Sequence, residues 1–379
     1  MKFTQVAQLT NDAVKEVLGE TAITTEDLSN VVSIGEQIAN MNLYDKFVGA
    51  LLNRIAKSIF SIRAYTGRAP SVLMDAWEYG SIVQKVHMKL PEAEDNESWE
   101  LVDGATYEEN QFYKPQVFVK LWNHKTTFEI PLSIAEEQLK QSFLSANEMA
   151  RFVAMLYQGV ENAMTLKFDA LIMRTINNFI GATINDSGAS RNIHLLTEYN
   201  SIYGTSLTSA NCVYHKDFLR YTAFRMKQVA TRLATYSTLF NIGGTEKHTP
   251  RDMLKIVMLD VIDAGVTTFL QSDTFHDELV KLPVADVVPF WQGSGTSYAL
   301  ADTSSIDVEV LDKDGTKQSV SEDYIIAVMF DRDALGVTGF NRRTPSKYVA
   351  KAEFYNYWYK EDAGYFNDYN ENFVVFLAD

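Results

Sequence analysis

The chain has 379 residues, 46% of them hydrophobic and 22% charged, with 49 acidic residues against 34 basic and a formal net charge of -15. It is longer than one average domain of ~100–200 residues, and its apolar content excludes a disordered chain and predicts a sizeable core. The acidic excess repels a phosphate backbone, and the longest apolar run, Tyr324 to Phe330, falls far short of the ~18 residues of a membrane span. The start, Met1-Lys2-Phe3, leads into polar sequence without an apolar signal core, and Cys212 is the single cysteine. The expectation is a protein made in a reducing cytoplasm, without disulfide, membrane anchor or nucleic-acid groove.

In chain order, the first ~60 residues read as loose helical segments, one around Val6 to Leu18 and another after the start signal Thr25-Glu26-Asp27. Neither has a strong apolar face, so they read as an arm anchored through Phe47, Leu51, Leu52, Ile55 and Ile59. From Ile82 the period changes to two. Ile82, Val86, Met88 and Leu90 alternate with Val83, Lys85, His87 and Lys89, the pattern of a half-exposed strand. Pro91 to Gln111 then carries eight acidic residues and no basic one, with Gly104 at a turn. Strand character returns at Val117, Val119 and Leu121, and again at Phe128 and Ile130. The simplest geometry is a two-stranded arm with an acidic tip, and such a ribbon is marginally stable alone.

Ser133, with Glu136 three residues on, has the spacing of a capping box that opens a helix. Met149, Val153, Leu156, Val160, Met164 and Leu171 recur at helical spacing, which predicts a long helix broken near Ser145-Ala146-Asn147 and ~50 Å in length at 1.5 Å per residue. After a turn at Asp186 to Ser190 come an amphipathic helix through Leu219, Met226 and Leu233, a buried strand Ile256 to Leu259, and a strand Ile306 to Val310 before a turn at Asp314-Gly315. The aromatic run Tyr348 to Tyr359 reads as a long hairpin turning around Ala363-Gly364, and Phe373 to Leu377 as a buried closing strand.

Catalytic and ligand motifs fail on spacing. The histidines at 87, 124, 194, 215, 248 and 276 include no pair four residues apart, which removes a helical zinc site. Gly293-Ser294-Gly295 lacks the third glycine of a dinucleotide loop, and Asp312 to Gly315 lacks the closing glutamate of a calcium loop. Cys212 and His215 read as a packed thiol beside a surface histidine rather than a nucleophilic pair. No catalytic, cofactor-binding or metal-ligating residue is expected.

The order of arm, acidic-tipped loop, long helix, α+β module and closing hairpin resembles the major capsid protein of tailed bacteriophages, the Hong Kong 97 type fold. Trp77-Glu78-Tyr79-Gly80-Ser81, Phe112-Tyr113-Lys114-Pro115, Thr127-Phe128-Glu129-Ile130-Pro131-Leu132-Ser133 and Glu161-Asn162-Ala163-Met164 carry the likeness, which covers Asp75 to the C-terminus. The resemblance implies an α+β fold: an N-terminal arm over 1–75, an extended loop over 76–130 lying on a neighbouring subunit, a peripheral domain of 131–185 with 338–366, and an axial domain of 186–337 with 367–379. It implies a virion subunit that is not an enzyme, uses no cofactor, and assembles with itself as hexamers and pentamers around double-stranded DNA without reading its sequence. A portal and either a separate scaffolding protein or a short N-terminal arm that suffices in its place are expected, with decoration proteins as a further option. The tip has no lysine, so no covalent crosslink through it is expected. The alternatives are an encapsulin-like compartment shell and, in a different class, a soluble carbohydrate-binding or carbohydrate-active protein.

The crowded carboxylates Glu92, Glu94, Asp95 and Glu97 need cations, and Arg342, Arg343, Lys347 and Lys351 form the densest basic run outside the arm. These eight residues are the candidate inter-subunit contact. Because exposed pairs contribute only ~0–1 kcal/mol each, reversing Arg342 and Arg343 is expected to spare the subunit's own stability.

Overall fold

A computed structural model of the chain describes residues 3–19, 29–41, 43, 46–51, 54, 68–74, 83–93, 95–96, 98, 100–107, 110, 112–271, 285–292, 304–311 and 315–379. The chain divides into two compact units. Unit 1 comprises Met1–Ala76, Lys125–Ile172 and Thr338–Gly364; unit 2 comprises Trp77–His124, Met173–Val337 and Tyr365–Asp379.

Unit 1 begins with helices α1 (Phe3–Leu18) and α2 (Val31–Asn40). They have a buried face where the sequence promised only a loose arm: Ala7, Ala13, Val14, Val31, Ile34 and Ile38 join Phe47, Val48 and Leu51 in the main core of the unit. Small alanines make that face easy to overlook, yet they let helices approach closely. Gly35 of α2 lies so near Phe143 that an added Cβ would sit 2.5 Å from its ring. Thr25-Glu26-Asp27 and Leu52, Ile55 and Ile59 fall outside the described residues.

Strand β3 (Lys125–Ala135) runs through Ser133 to Ala135, and only then does helix α3 (Glu136–Ser142) start. The expected Ser133 cap is therefore a strand residue whose hydroxyl donates to Asn356 Oδ1 at 2.6 Å. The capping function passes to Gln138, whose Oε1 accepts from the Ala135 N–H at 3.3 Å. Pairing with a strand more than two hundred residues away outcompeted the local signal. The helical break falls at 143–145, where Ser145 Oγ accepts from the Glu148 N–H at 3.2 Å and opens α4 (Ala146–Asn185). Met149, Val153, Leu156, Val160 and Met164 of α4 enter the core of unit 1, and the helix passes into unit 2 at Met173.

The rest of the unit 1 sheet comes from β10 (Leu335–Arg343), β11 (Ser346–Val349) and β12 (Phe354–Asn367). Here β12 lies between β10 and β11 and also pairs antiparallel with β3 from Phe354↔Ala135 to Gly364↔Lys125. The expected turn at Ala363-Gly364 is thus uninterrupted strand, and the chain reverses instead at 350–353, where Glu353 has φ 48°. Gly364 gave a turn signal, but its pairing with Lys125 keeps it extended.

Unit 2 is built on a mixed sheet. Strands β4 (Asn192–His194), β13 (Phe373–Leu377), β9 (Ile325–Asp331), β5 (Leu254–Leu259) and β6 (Ala285–Val288) follow in that order across it. Every residue of β9 and β13 is buried, as continuous apolar runs require of strands covered on both faces. One cover comes from α5 (Leu195–Tyr203), α6 (Lys216–Leu233) and α7 (Asp260–Gln271), through Tyr199, Phe218, Leu219, Met226 and Ile262 against Ile256, Met258, Val374 and Phe376. On the other, Phe179 of α4 meets Phe373 with ring centroids 4.1 Å apart. The hairpin β7 (Ile306–Leu311) and β8 (Lys317–Glu322) closes against Gly181, where an added Cβ would stand 2.5 Å from Val308. No described helix is long and apolar enough to cross a membrane.

Candidate assembly surfaces

The arm foreseen between Ile82 and Leu121 is present as an antiparallel ribbon of β1 (Val83–Met88) and β2 (Val117–Trp122), in register from Val83↔Trp122 to Met88↔Val117. Opposed residues share a face, so alternate pairs divide the ribbon into two sides. One side carries Val83, Lys85, His87, Phe118, Lys120 and Trp122, of which Phe118 at the outer end is exposed; the other carries Gln84, Val86, Met88, Val117, Val119 and Leu121.

The burial of these sides is the reverse of what alternation predicts for a strand lying on a core. The five aliphatic side chains are 51–64% exposed, whereas Lys85 and Lys120 are half-buried and Trp122 is 8% exposed. Trp122 packs on Phe366 with centroids 5.4 Å apart and donates its indole N–H to the Asn367 carbonyl at 3.2 Å. Lys120 reaches Asp368 at 3.0 Å, and Lys85 reaches Asp368 at 3.3 Å and Glu371 at 3.4 Å. Long amine stems cover apolar surface while their charged ends find carboxylates, so the lysine side is the one held. The aliphatic side faces solvent in the single chain.

Among the expected contact residues, Glu92 and Asp95 are exposed in unit 2, and Glu94 and Glu97 lie outside the described residues. The four cations belong to unit 1. Arg342 donates from Nε to Glu361 Oε1 at 3.0 Å, and Glu361 has no exposed surface. Arg343 grips both oxygens of Asp362, each at 3.0 Å. Asp362 also accepts from Thr127 Oγ1 at 2.6 Å and Asn341 Nδ2 at 2.7 Å. The Arg343 guanidinium, more than the two neutral donors, holds the Asp362 carboxyl well below the usual carboxylate range. Arg343 therefore serves a buried carboxylate of its own chain, and the expectation that reversing both arginines would spare the subunit does not survive this geometry. Glu361 and Asp362 were missed by sequence reasoning because they sit inside an aromatic strand; two acids interrupting such a run were the available signal. Lys347 and Lys351 are exposed.

Cys212 is fully buried, its thiol donates to the Ser209 carbonyl at 3.5 Å, and burial pushes its pKa up to about 11. It is a packed thiol without activation. Among the described residues no cluster of three His, Cys, Asp or Glu side chains has metal-holding geometry. The glycine loop at 293–295, Asp312 to Asp314 and His276 lie outside the described residues.

A family model described as Phi29-like phage major capsid protein matches residues 10–377 of the chain. The chain belongs to that family. It is accordingly a structural protein of the virion capsid. No curated protein matches it. Among solved structures, a chain from the capsid structure of Staphylococcus phage Andhra aligns over 84% of this chain and 86% of its own at 9% identity, with a TM-score of 0.52. A chain from the structure of the head fiber and inner core protein gp22 of native bacteriophage P68 aligns with the same coverage, identity and score. At that identity the likeness is one of fold, and it places the major capsid protein's mixed α+β architecture among tailed-phage head structures.

Proposed function

We propose that this major capsid protein assembles with copies of itself, as hexamers and pentamers, into an icosahedral head of Hong Kong 97 type that encloses double-stranded DNA. The observation that carries the reading is the ribbon. A two-stranded element with five half-exposed aliphatic side chains on one face is poorly placed in water and gains by being covered in an assembly. The net charge of -15 supports a shell that surrounds DNA without gripping it.

The charged tip and the basic run serve as a secondary contact between subunits. Glu92, Glu94, Asp95 and Glu97 meet Lys347 and Lys351 of a neighbour, with Arg342 and Arg343 adding to the local positive field while they hold Glu361 and Asp362. Pairs of this sort contribute ~0–1 kcal/mol each and are screened beyond ~8 Å at physiological salt, so they tune rate and salt sensitivity more than strength. A separate scaffolding protein, a portal and decoration proteins complete the assembly, which takes place in the host cytoplasm. Electron microscopy of the purified chain, alone and with its scaffolding partner, tests the reading. Closed shells, rings or tubes are expected; a clean monomer at high concentration across a range of salt overturns it.

A further inference from the structure

We propose that Asp368 and Glu371, with Lys85, Lys120 and Lys247, form an ionic clasp that sets the direction of the β1–β2 ribbon against the rest of unit 2, and that Asp368 is its pin. The starting observation is a cross-strand pair that ought to be unfavourable. Lys85 and Lys120 stand directly opposite each other in the ribbon, and like charges in that position repel. The ladder tolerates them because one carboxylate lies between them. Asp368 Oδ2 takes Lys85 at 3.3 Å and Oδ1 takes Lys120 at 3.0 Å, on a side chain only 4% exposed.

The same turn supplies the second anchor. Glu371 accepts Lys85 at 3.4 Å and Lys247 at 2.9 Å, and Lys85 also donates to the Asp333 carbonyl. The turn itself is stiff: the Glu371 N–H donates to the Asp368 carbonyl at 3.0 Å, the Asn370 N–H to Asp368 Oδ1 at 3.2 Å, and the Asp368 N–H to the Ala334 carbonyl at 2.7 Å. Three cations thus converge on two carboxylates held in a fixed frame.

The position along the ribbon makes this a clasp rather than one more surface network. Trp122 is the buried root, and Lys85↔Lys120 is the next pair on the same side. Beyond it, Phe118 and Val117 are exposed, and a cleft of about 210 Å³ lined by His87, Phe118 and Asn370 adjoins the charges. Apolar packing therefore holds the ribbon at one point, and the ion pairs supply the second point that a rigid direction requires. With the pin removed, the two lysines repel and the ribbon pivots about Trp122. This inference rests on contacts within one unit and does not depend on the shell reading.

The test uses the full chain as an unassembled subunit, spin-labelled at Tyr113→Cys on the ribbon side and Ala264→Cys on α7. Both positions are exposed, while the native Cys212 is buried and stays unlabelled. Pulsed electron paramagnetic resonance reads the distance distribution between the labels. The parent should give one narrow distribution. Asp368→Asn keeps the shape and the Asn370 contact but removes the charge, and should widen the distribution roughly twofold or more, as a hinge released at one of two anchors does. Adding Lys120→Met to Asp368→Asn should narrow it again, because the repulsion disappears with the second ammonium and Lys85 keeps its hold on Glu371 and the Asp333 carbonyl. Equal widths for parent and Asp368→Asn overturn the clasp, as does a width that Lys120→Met fails to reduce. If circular dichroism shows Asp368→Asn to be unfolded, Lys85→Met with Lys120→Met takes its place: it removes the ribbon's ion pairs to both Asp368 and Glu371 and leaves the Trp122 packing as its anchor, so the width should rise, and a parent-like width in that variant overturns the proposal.

Discussion

Replacing Arg343 by alanine distinguishes a surface cation from a structural one. Asp362 is 4% exposed and receives two bonds from Arg343 and one each from Thr127 and Asn341. Without the guanidinium, a buried carboxylate keeps two neutral donors and no counter-charge. Breaking a fully buried pair costs ~3–5 kcal/mol, and an exposed pair contributes ~0–1 kcal/mol. The Arg343 side chain is 40% exposed, so water partly replaces what it supplied, and the cost lies below that of a fully buried pair. The melting temperature of the unassembled subunit should drop measurably, by roughly 2–4 °C for each kcal/mol lost in a large chain. Lys347→Ala and Lys351→Ala, at exposed positions, should stay within ~0.5 kcal/mol of the parent. The pH dependence has a defined sign. A carboxylate whose pKa is depressed in the folded state stabilises above its unfolded pKa of ~3.9 and loses that contribution as pH falls through the folded value. The gap between parent and Arg343→Ala should therefore be full at pH 7 and begin to close below pH ~4. Urea unfolding at pH 7 and pH 3 measures it; a variant as stable as the parent at pH 7, or a gap that grows in acid, would refute the assignment.

Three further outcomes test other parts of the fold. Gly35→Ala should destabilise by ~1–3 kcal/mol because its Cβ meets the Phe143 ring, whereas Gly159→Ala, with open space around it in α4, should stabilise by ~0.5–1 kcal/mol; urea midpoints with opposite signs are the check. Phe376→Ala, in the fully buried β13, should cost ~3–5 kcal/mol and abolish soluble subunit, and a variant purified with normal yield and melting temperature would contradict the core assignment. Cys212, buried with its pKa pushed up to about 11, should resist a thiol reagent in the native subunit at pH 8 and react fully once the chain is unfolded.

Local pattern carried much of this protein into view from sequence alone. Period-two alternation located β1 and β2, helical spacing located α4 and α6, and continuous apolar runs located β5 and β13, because each of those signals is written over neighbouring residues. The order of those elements, with a handful of short segments, was enough for the capsid resemblance. What the tertiary structure decided concerns partners far apart in the chain. Val86 and Val119 were legible as strand residues, but the carboxylates at 368 and 371, with Phe366 beneath Trp122, determine that the lysine side is held and the aliphatic side left in solvent. Ser133 and Gly364 each carry a sound local signal for a cap and a turn, and pairing between β3 and β12 overrides both. Arg342 and Arg343 read as surface cations because their buried acids, nineteen positions away in β12, become neighbours only when the sheet forms. Alternation tells which residues share a face, while the free energy of burial, which chooses between the faces, depends on what the rest of the chain brings to meet them.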